Sequence, residues 1–95
     1  MIQLASLDIV ASDVTGQRSV DVRGIPVEQS IGQLVDGLLP RMNLHRLDRS
    51  GSPIHFDARL EREARHLHRS ERVGDSLQPG DHVVLHPRIM AGANL

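Results

Sequence analysis

The residue types that could do chemistry in this chain are its histidines, a close pair of glutamates and a C-terminal run of small residues. His66-x-His68 and His82-x3-His86 can bring imidazoles together on one strand face, and two of them with Asp57 or Asp81 would make a zinc set of the catalytic kind. No helix-borne or cysteine-bearing zinc spacing accompanies them, so they are expected to be surface side chains with no metal and no cofactor. Glu61-Arg62-Glu63 offers paired carboxylates, yet arginines surround them, and a solvated, charge-balanced turn is the simpler reading. With no glycine-rich phosphate loop or nucleophile elbow either, the chain is not expected to be an enzyme. That leaves the stretch from Gly80 to Leu95. Val83 and Leu85 alternate toward a core while His82, Val84 and His86 face outward, and Pro87 is expected to end the ladder. From Ala91 onward small residues predominate, and ordering them at about 1–2 kcal/mol each would go largely uncompensated. The chain therefore divides into a domain over 1–86 and a flexible tail over 87–95, which the domain presents.

The totals agree with a small presenting domain. Ninety-five residues make one domain, since domains commonly hold about 50–250. Phe56 is the only aromatic residue, so the core must be built from Leu, Ile and Val. A domain of this size has little room for a deep internal active site. The net charge of −1, from 11 basic and 12 acidic residues, creates no general field to attract nucleic acid. All 11 basic residues are arginine. Two readings of that stand side by side: drift in an arginine-rich proteome, or loss of side-chain amines from a protein handled by amine-modifying machinery. The absence of cysteine permits a reducing compartment. Neither a signal peptide nor an apolar run of the roughly 20 residues that a membrane span needs is evident, so no membrane partner is expected and the default location is cytoplasmic.

The elements that must position these residues follow in order. Ile2, Leu4, Leu7 and Ile9 mark a first strand whose alternation slips near Ala5-Ser6, where a bulge is expected. Ser12 to Gly16 has turn chemistry, and Gln17 to Val22 returns as the second strand of a hairpin. Ile31, Leu34, Val35, Leu38, Leu39 and Met42 then fall on one face of a helix. Ser30 and Gln33 form its capping box, and Pro40 brings it to an end near Leu39 to Met42. After a polar loop, Ile54, Phe56, Ala58 and Leu60 share one face of a third strand, and Arg65 to His68 makes a short fourth with Leu67 inward. A helical turn within 70–77 and a type II turn at Gln78-Pro79-Gly80-Asp81 lead into the last strand. The order β-β-α-β-β-short helix-β, with first and last strands as parallel neighbours, is a β-grasp.

Taken together, the hairpin, the capped helix from Ser30, Ile54-His-Phe-Asp57, Val73-Gly-Asp-Ser-Leu77, Gln78-Pro-Gly-Asp81 and Arg88-Ile-Met-Ala-Gly92 resemble the ubiquitin-like family over nearly all of residues 1 to 92. The resemblance implies an α+β fold, a ubiquitin-like β-grasp whose mixed sheet of four to five strands carries one main helix across one face. Within that family the chain resembles the bacterial ubiquitin-like proteins. These include modifiers encoded beside activating and conjugating enzymes and a Jab-type peptidase, and also non-covalent accessory proteins of type VII secretion systems. Many end in a pattern like Pro87-Arg-Ile-Met-Ala-Gly92.

For a modifier, the resemblance implies that a terminal glycine carboxylate is adenylated, passed to an enzyme thiol and joined to target proteins. Gly92 would be that glycine, flanked by Ala91 and Ala93, once Ala93 to Leu95 are removed. The family usually ends in Gly-Gly, and Ala91 departs from it. Arg88 falls where the family carries an arginine read by the activating enzyme, with Ile89 and Met90 beside it. The family's docking surface, on the outer face of the sheet, would here comprise His55, Arg59, His82, Val84 and His86.

Overall fold

The structure is a computed structural model that describes residues 6–44, 47 and 49–88. Its elements are β1 (Ser6–Asp13), β2 (Ser19–Pro26), α1 (Ile31–Arg41), β3 (His55–Leu60), β4 (Arg65–Leu67), the one-turn α2 (Val73–Ser76) and β5 (His82–Arg88). The five strands form one sheet in the order β2-β1-β5-β3-β4. β1 and β5 run parallel, and every other pair is antiparallel. This is the β-grasp that the element order implies.

Alternation builds the sheet's inner face. Leu7, Ile9 and Ala11 of β1, Phe56, Ala58 and Leu60 of β3, and Val83 and Leu85 of β5 are buried against the apolar stripe of α1. That stripe is the expected one, Ile31, Leu34, Val35, Leu38 and Leu39, with Met42 following it. The core is aliphatic, for its largest fully buried side chains are Ile31, Leu38, Leu60 and Leu85 with Val35, Val73 and Val83.

The helix begins as its sequence signals. Ser30 Oγ accepts from the Gln33 N–H at 3.1 Å, and Gln33 Oε1 accepts from the Ser30 N–H at 3.1 Å, satisfying two otherwise orphaned donors. Pro40 lies in the last turn without breaking it, because the Met42 N–H still reaches Leu38 O at 2.9 Å. Asn43 then takes φ 58°, and the Arg18 guanidinium donates to its carbonyl from the β1–β2 loop.

The slip expected at Ala5-Ser6 lies, except for Ser6, outside the described residues. Among the described residues the hairpin has an irregularity between Leu7 and Ile9, paired with Ile25 and Val22, so the extra residue is on β2. Gly24 supplies it, with φ 70° and its N–H bonded to Asp8 Oδ1 at 2.9 Å. Pro87, for its part, does not end the ladder, since β5 continues to Arg88, with Pro87 opposite Phe56 and Arg88 opposite His55. The parallel pairing to β1 stops at Leu85. Among the described residues no strand pairs with that side of Pro87, where a residue without an N–H is tolerated.

The turn between β3 and β4 carries Ala64 at φ 53°, a left-handed conformation that costs a residue with a Cβ about 1–2 kcal/mol. Ala64→Gly is expected to stabilise the domain by about 0.5–1 kcal/mol, after the greater freedom of glycine in the unfolded chain is subtracted. A higher urea midpoint at unchanged slope checks this. Among the described residues, no helix is long and apolar enough to cross a membrane.

Candidate interaction face

The face of the sheet opposite α1 is set by the strand registers. Across its middle, Ser12 of β1 lies opposite Val84 of β5, Val84 opposite Arg59 of β3, and Arg59 opposite His66 of β4. One step along β5, His86 faces Asp57, and one further, Arg88 faces His55. In the other direction His82 lies beside Val10 of β1. The five residues expected on this face, His55, Arg59, His82, Val84 and His86, are all brought to it.

Val84 departs from its expected role. It is only 7% exposed, so it forms the floor of the face instead of an apolar contact. Polar side chains cover it. His82 Nε2 and Ser12 Oγ are hydrogen-bonded at 2.7 Å, and Arg59 Nε donates to Glu61 at 3.0 Å. An open groove of about 350 Å³ runs here, with Ser12, Thr15, Arg59, His82 and His86 among its walls.

Three further residues join the face. His66 meets His86 edge to face, ring centroids 5.7 Å apart at an interplanar angle of 63°. Asp57 accepts from both Nε, at 3.1 Å, and Nη2 of Arg88, a bidentate pair. The Arg88 hydrogen bond holds the Asp57 carboxyl below the usual carboxylate range, against a partial desolvation that opposes it, and His66 and His86 add to the lowering. Reciprocally, Asp57 raises the pKa of Arg88. The alternation of β3 and the inward Leu67 already place Asp57 and His66 outward, but their contacts with Arg88 and His86 depend on the pairing across β5.

The other candidates resolve differently. Glu61 is bound to Arg59, while Glu63 is bound by Arg62 and Arg65, which is the charge-balanced turn that the surrounding arginines suggest. Among the described residues, no three His, Asp or Glu side chains converge on a point that could hold a metal ion. Arg88 is the last described residue of the proposed recognition segment. Ile89, Met90, Ala91, Gly92 and Ala93 lie outside the described residues.

No protein-family profile and no curated protein matches the sequence. Solved structures do match. The ubiquitin of Caldiarchaeum subterraneum is similar with a TM-score of 0.65 at 15% identity, over 92% of this chain and 99% of that one. A chain from work on molecular mimicry of SUMO that promotes DNA repair gives 0.62 at 16% identity, over 88% and 94%. The UBL domain of yeast Ddi1 gives 0.62 at 14% identity, over 94% and 96%. The fold is thus a ubiquitin-like β-grasp, a five-stranded mixed sheet with one main helix packed across it.

Proposed function

We propose that this chain is a bacterial ubiquitin-like protein modifier, acting in the cytoplasm through its C-terminal segment and having no active site of its own. A Jab-type peptidase cuts the Gly92–Ala93 bond, and the activating enzyme reads Arg88, Ile89 and Met90. The freed Gly92 carboxylate attacks the α-phosphorus of ATP and expels pyrophosphate. An enzyme thiolate then displaces AMP to form a thioester, and after transfer to the conjugating enzyme a nucleophile on the target protein displaces the thiolate. One observation carries the reading: in a ubiquitin-like fold, the strand at the centre of the sheet, β5, brings the chain to Arg88, four residues before Gly92. Ala91 and Gly92 carry no side chain that would block close approach of an enzyme to the backbone.

The test is to incubate the chain ending at Gly92, and separately the full chain with its peptidase, with the activating enzyme of the native host and ATP. A thiol-labile adduct is expected from both. If neither forms one, the reading fails.

A second reading, a non-covalent binding module such as a type VII secretion accessory protein, is favoured by one feature. The guanidinium of Arg88 is already engaged by Asp57, within the polar face that contains His82 and His86. This reading predicts that deleting Ala91 to Leu95 leaves function intact, while His82→Asp combined with His86→Asp abolishes partner binding.

A further inference from the structure

An apolar groove of about 260 Å³ opens at the end of the sheet where β1 stops. Its apolar walls are Val14 just beyond β1, Leu44 just after α1, Ile54 and Phe56 at the start of β3, and Leu85 and Pro87 of β5. Asp13 also lines it, but its carboxylate is taken up by the Thr15 hydroxyl and the Arg18 N–H. The groove lies on the core side of the sheet, for Phe56 and Leu85 belong to the core and Leu44 and Ile54 pack against it. Val14 is half exposed there, and Phe56 keeps some exposure at the margin. A further apolar side chain would take this surface out of water.

The strand register says which side chain that is. β3 and β5 run antiparallel, with Asp57 opposite His86, Phe56 opposite Pro87 and His55 opposite Arg88. One more step along the same ladder sets Ile54 against Ile89. Opposed residues share a face of the sheet, and alternation gives the face. Residue 89 follows Val83, Leu85 and Pro87 on the core side, as Ile54 follows Leu60, Ala58 and Phe56. Arg88, held on the outer face by Asp57, fixes the strand up to the residue before it. Only Arg88 stands between Ile89 and Pro87 of the groove wall, so an occupant from this chain enters without the entropic cost of bringing two molecules together.

We propose that Ile89 is the last residue of the domain, its side chain seated in this groove against Val14, Leu44 and Ile54, and that the tail proper starts at Met90. Its neighbours suit the groove less well, since position 90 alternates to the outer face and Ala91 would bury a single methyl group. One isoleucine closes the groove, so the seat opens and recloses locally without unfolding the domain. The inference does not rest on the conjugation reading, but it bears on it. With Ile89 seated, Met90, Ala91 and Gly92 span only about 10 Å of extended chain. An enzyme that takes Gly92 into a deeper channel therefore has to lift Ile89 from its seat first.

The experiment uses the full chain with its Ile, Leu and Val methyl groups labelled for nuclear magnetic resonance. Nuclear Overhauser contacts are expected from the Ile89 methyls to those of Val14, Leu44 or Ile54, and a mixture of labelled and unlabelled chains should show that they arise within one molecule. Ile89→Ala should raise the unfolding equilibrium constant about tenfold, the loss of three partly buried carbons. Urea denaturation reads this as a lower midpoint at unchanged slope. Met90→Ala should leave the midpoint where it is. Val14→Ser combined with Ile89→Ala should lower stability by less than the sum of the two, because both remove one contact. The proposal is overturned if the Ile89 methyls make no contact with the groove, if the contacts come from a second copy of the chain, if Ile89→Ala leaves the midpoint unchanged, or if the two substitutions simply add. Contacts that are present in a chain that fails the conjugation assay would count against the modifier reading alone.

Discussion

Leu60→Ala is expected to cost about 2–5 kcal/mol, the largest loss from any single substitution considered for this domain. Leu60 ends β3 with no exposed surface and lies opposite both Val83 of β5 and Arg65 of β4. Removing its isobutyl group loses the transfer free energy of the buried atoms and leaves a cavity. The surroundings are poorly suited to close it. The direct partner of Leu60 on β5, Val83, has a single stiff side-chain torsion, and Phe56 packs at the margin of the core with 8% exposure. Small domains have a total stability of about 5–15 kcal/mol, so a substantial unfolded fraction is expected at 37 °C. Urea denaturation checks this through a lower midpoint at unchanged slope. Val84→Ala is the internal control. Val84 is also nearly buried, but it lies on the outer face, outside the aliphatic cluster, and its loss should be clearly smaller. Equal losses at the two positions would contradict the division of β5 into a core face and a polar face.

That division was legible because it needs only alternation along one strand, and the helix was legible because Ser30, Gln33 and the apolar stripe are local signals that agree. The Gln78-to-Asp81 turn belongs to the same class, with Gly80 at φ 85° and the Asp81 N–H bonded to Gln78 O at 3.1 Å. What could not be read were features that depend on where another strand stops or which residue it opposes. Pro87 is accommodated only because β1 has ended at Asp13, opposite Leu85. The Asp57–Arg88 pair joins residues 31 apart, and it takes the β3–β5 register to place them together. His66 and His86 are neighbours only because both sit across β3. Gly24 could not be recognised as a bulge before its pairing with β1 was known, since a glycine in a strand also fits a simple strand end. The residues of the outer face were therefore placed from sequence one by one, whereas their ion pairs and the near-burial of Val84 were not.

Asp81 belongs to that second class, and Asp81→Ala is expected to cost about 1–3 kcal/mol. In sequence it is the last residue of a turn. In the structure its side chain is only 6% exposed, accepting from Arg62 Nε at 2.9 Å, from Arg62 Nη2 at 3.2 Å and from the Gln78 N–H at 2.8 Å. Its carbonyl also receives the Val10 N–H at 2.9 Å, so the residue secures the start of β5 to β1, directly before His82. Burial alone would raise the carboxyl pKa, but the Arg62 and Gln78 hydrogen bonds outweigh it and the folded value lies below the ordinary one. A carboxyl depressed on folding contributes stability above its unfolded pKa, about 3.9, and loses it as pH falls through the folded value. Glu71 acts in the same direction. Arg65, the Ser76 hydroxyl and the His68 N–H hold its pKa at about 2, against an ordinary 4.5. The native domain should therefore lose stability progressively between about pH 5 and 2. Asp81→Asn retains an acceptor but cannot titrate, so the gap between it and the native chain should be constant near neutral pH and shrink along this acid limb. Urea titrations at stepped pH decide the matter. A gap that stays constant down to about pH 2 would show that the Asp81 charge contributes nothing and that its hydrogen bonds alone hold the turn to β5.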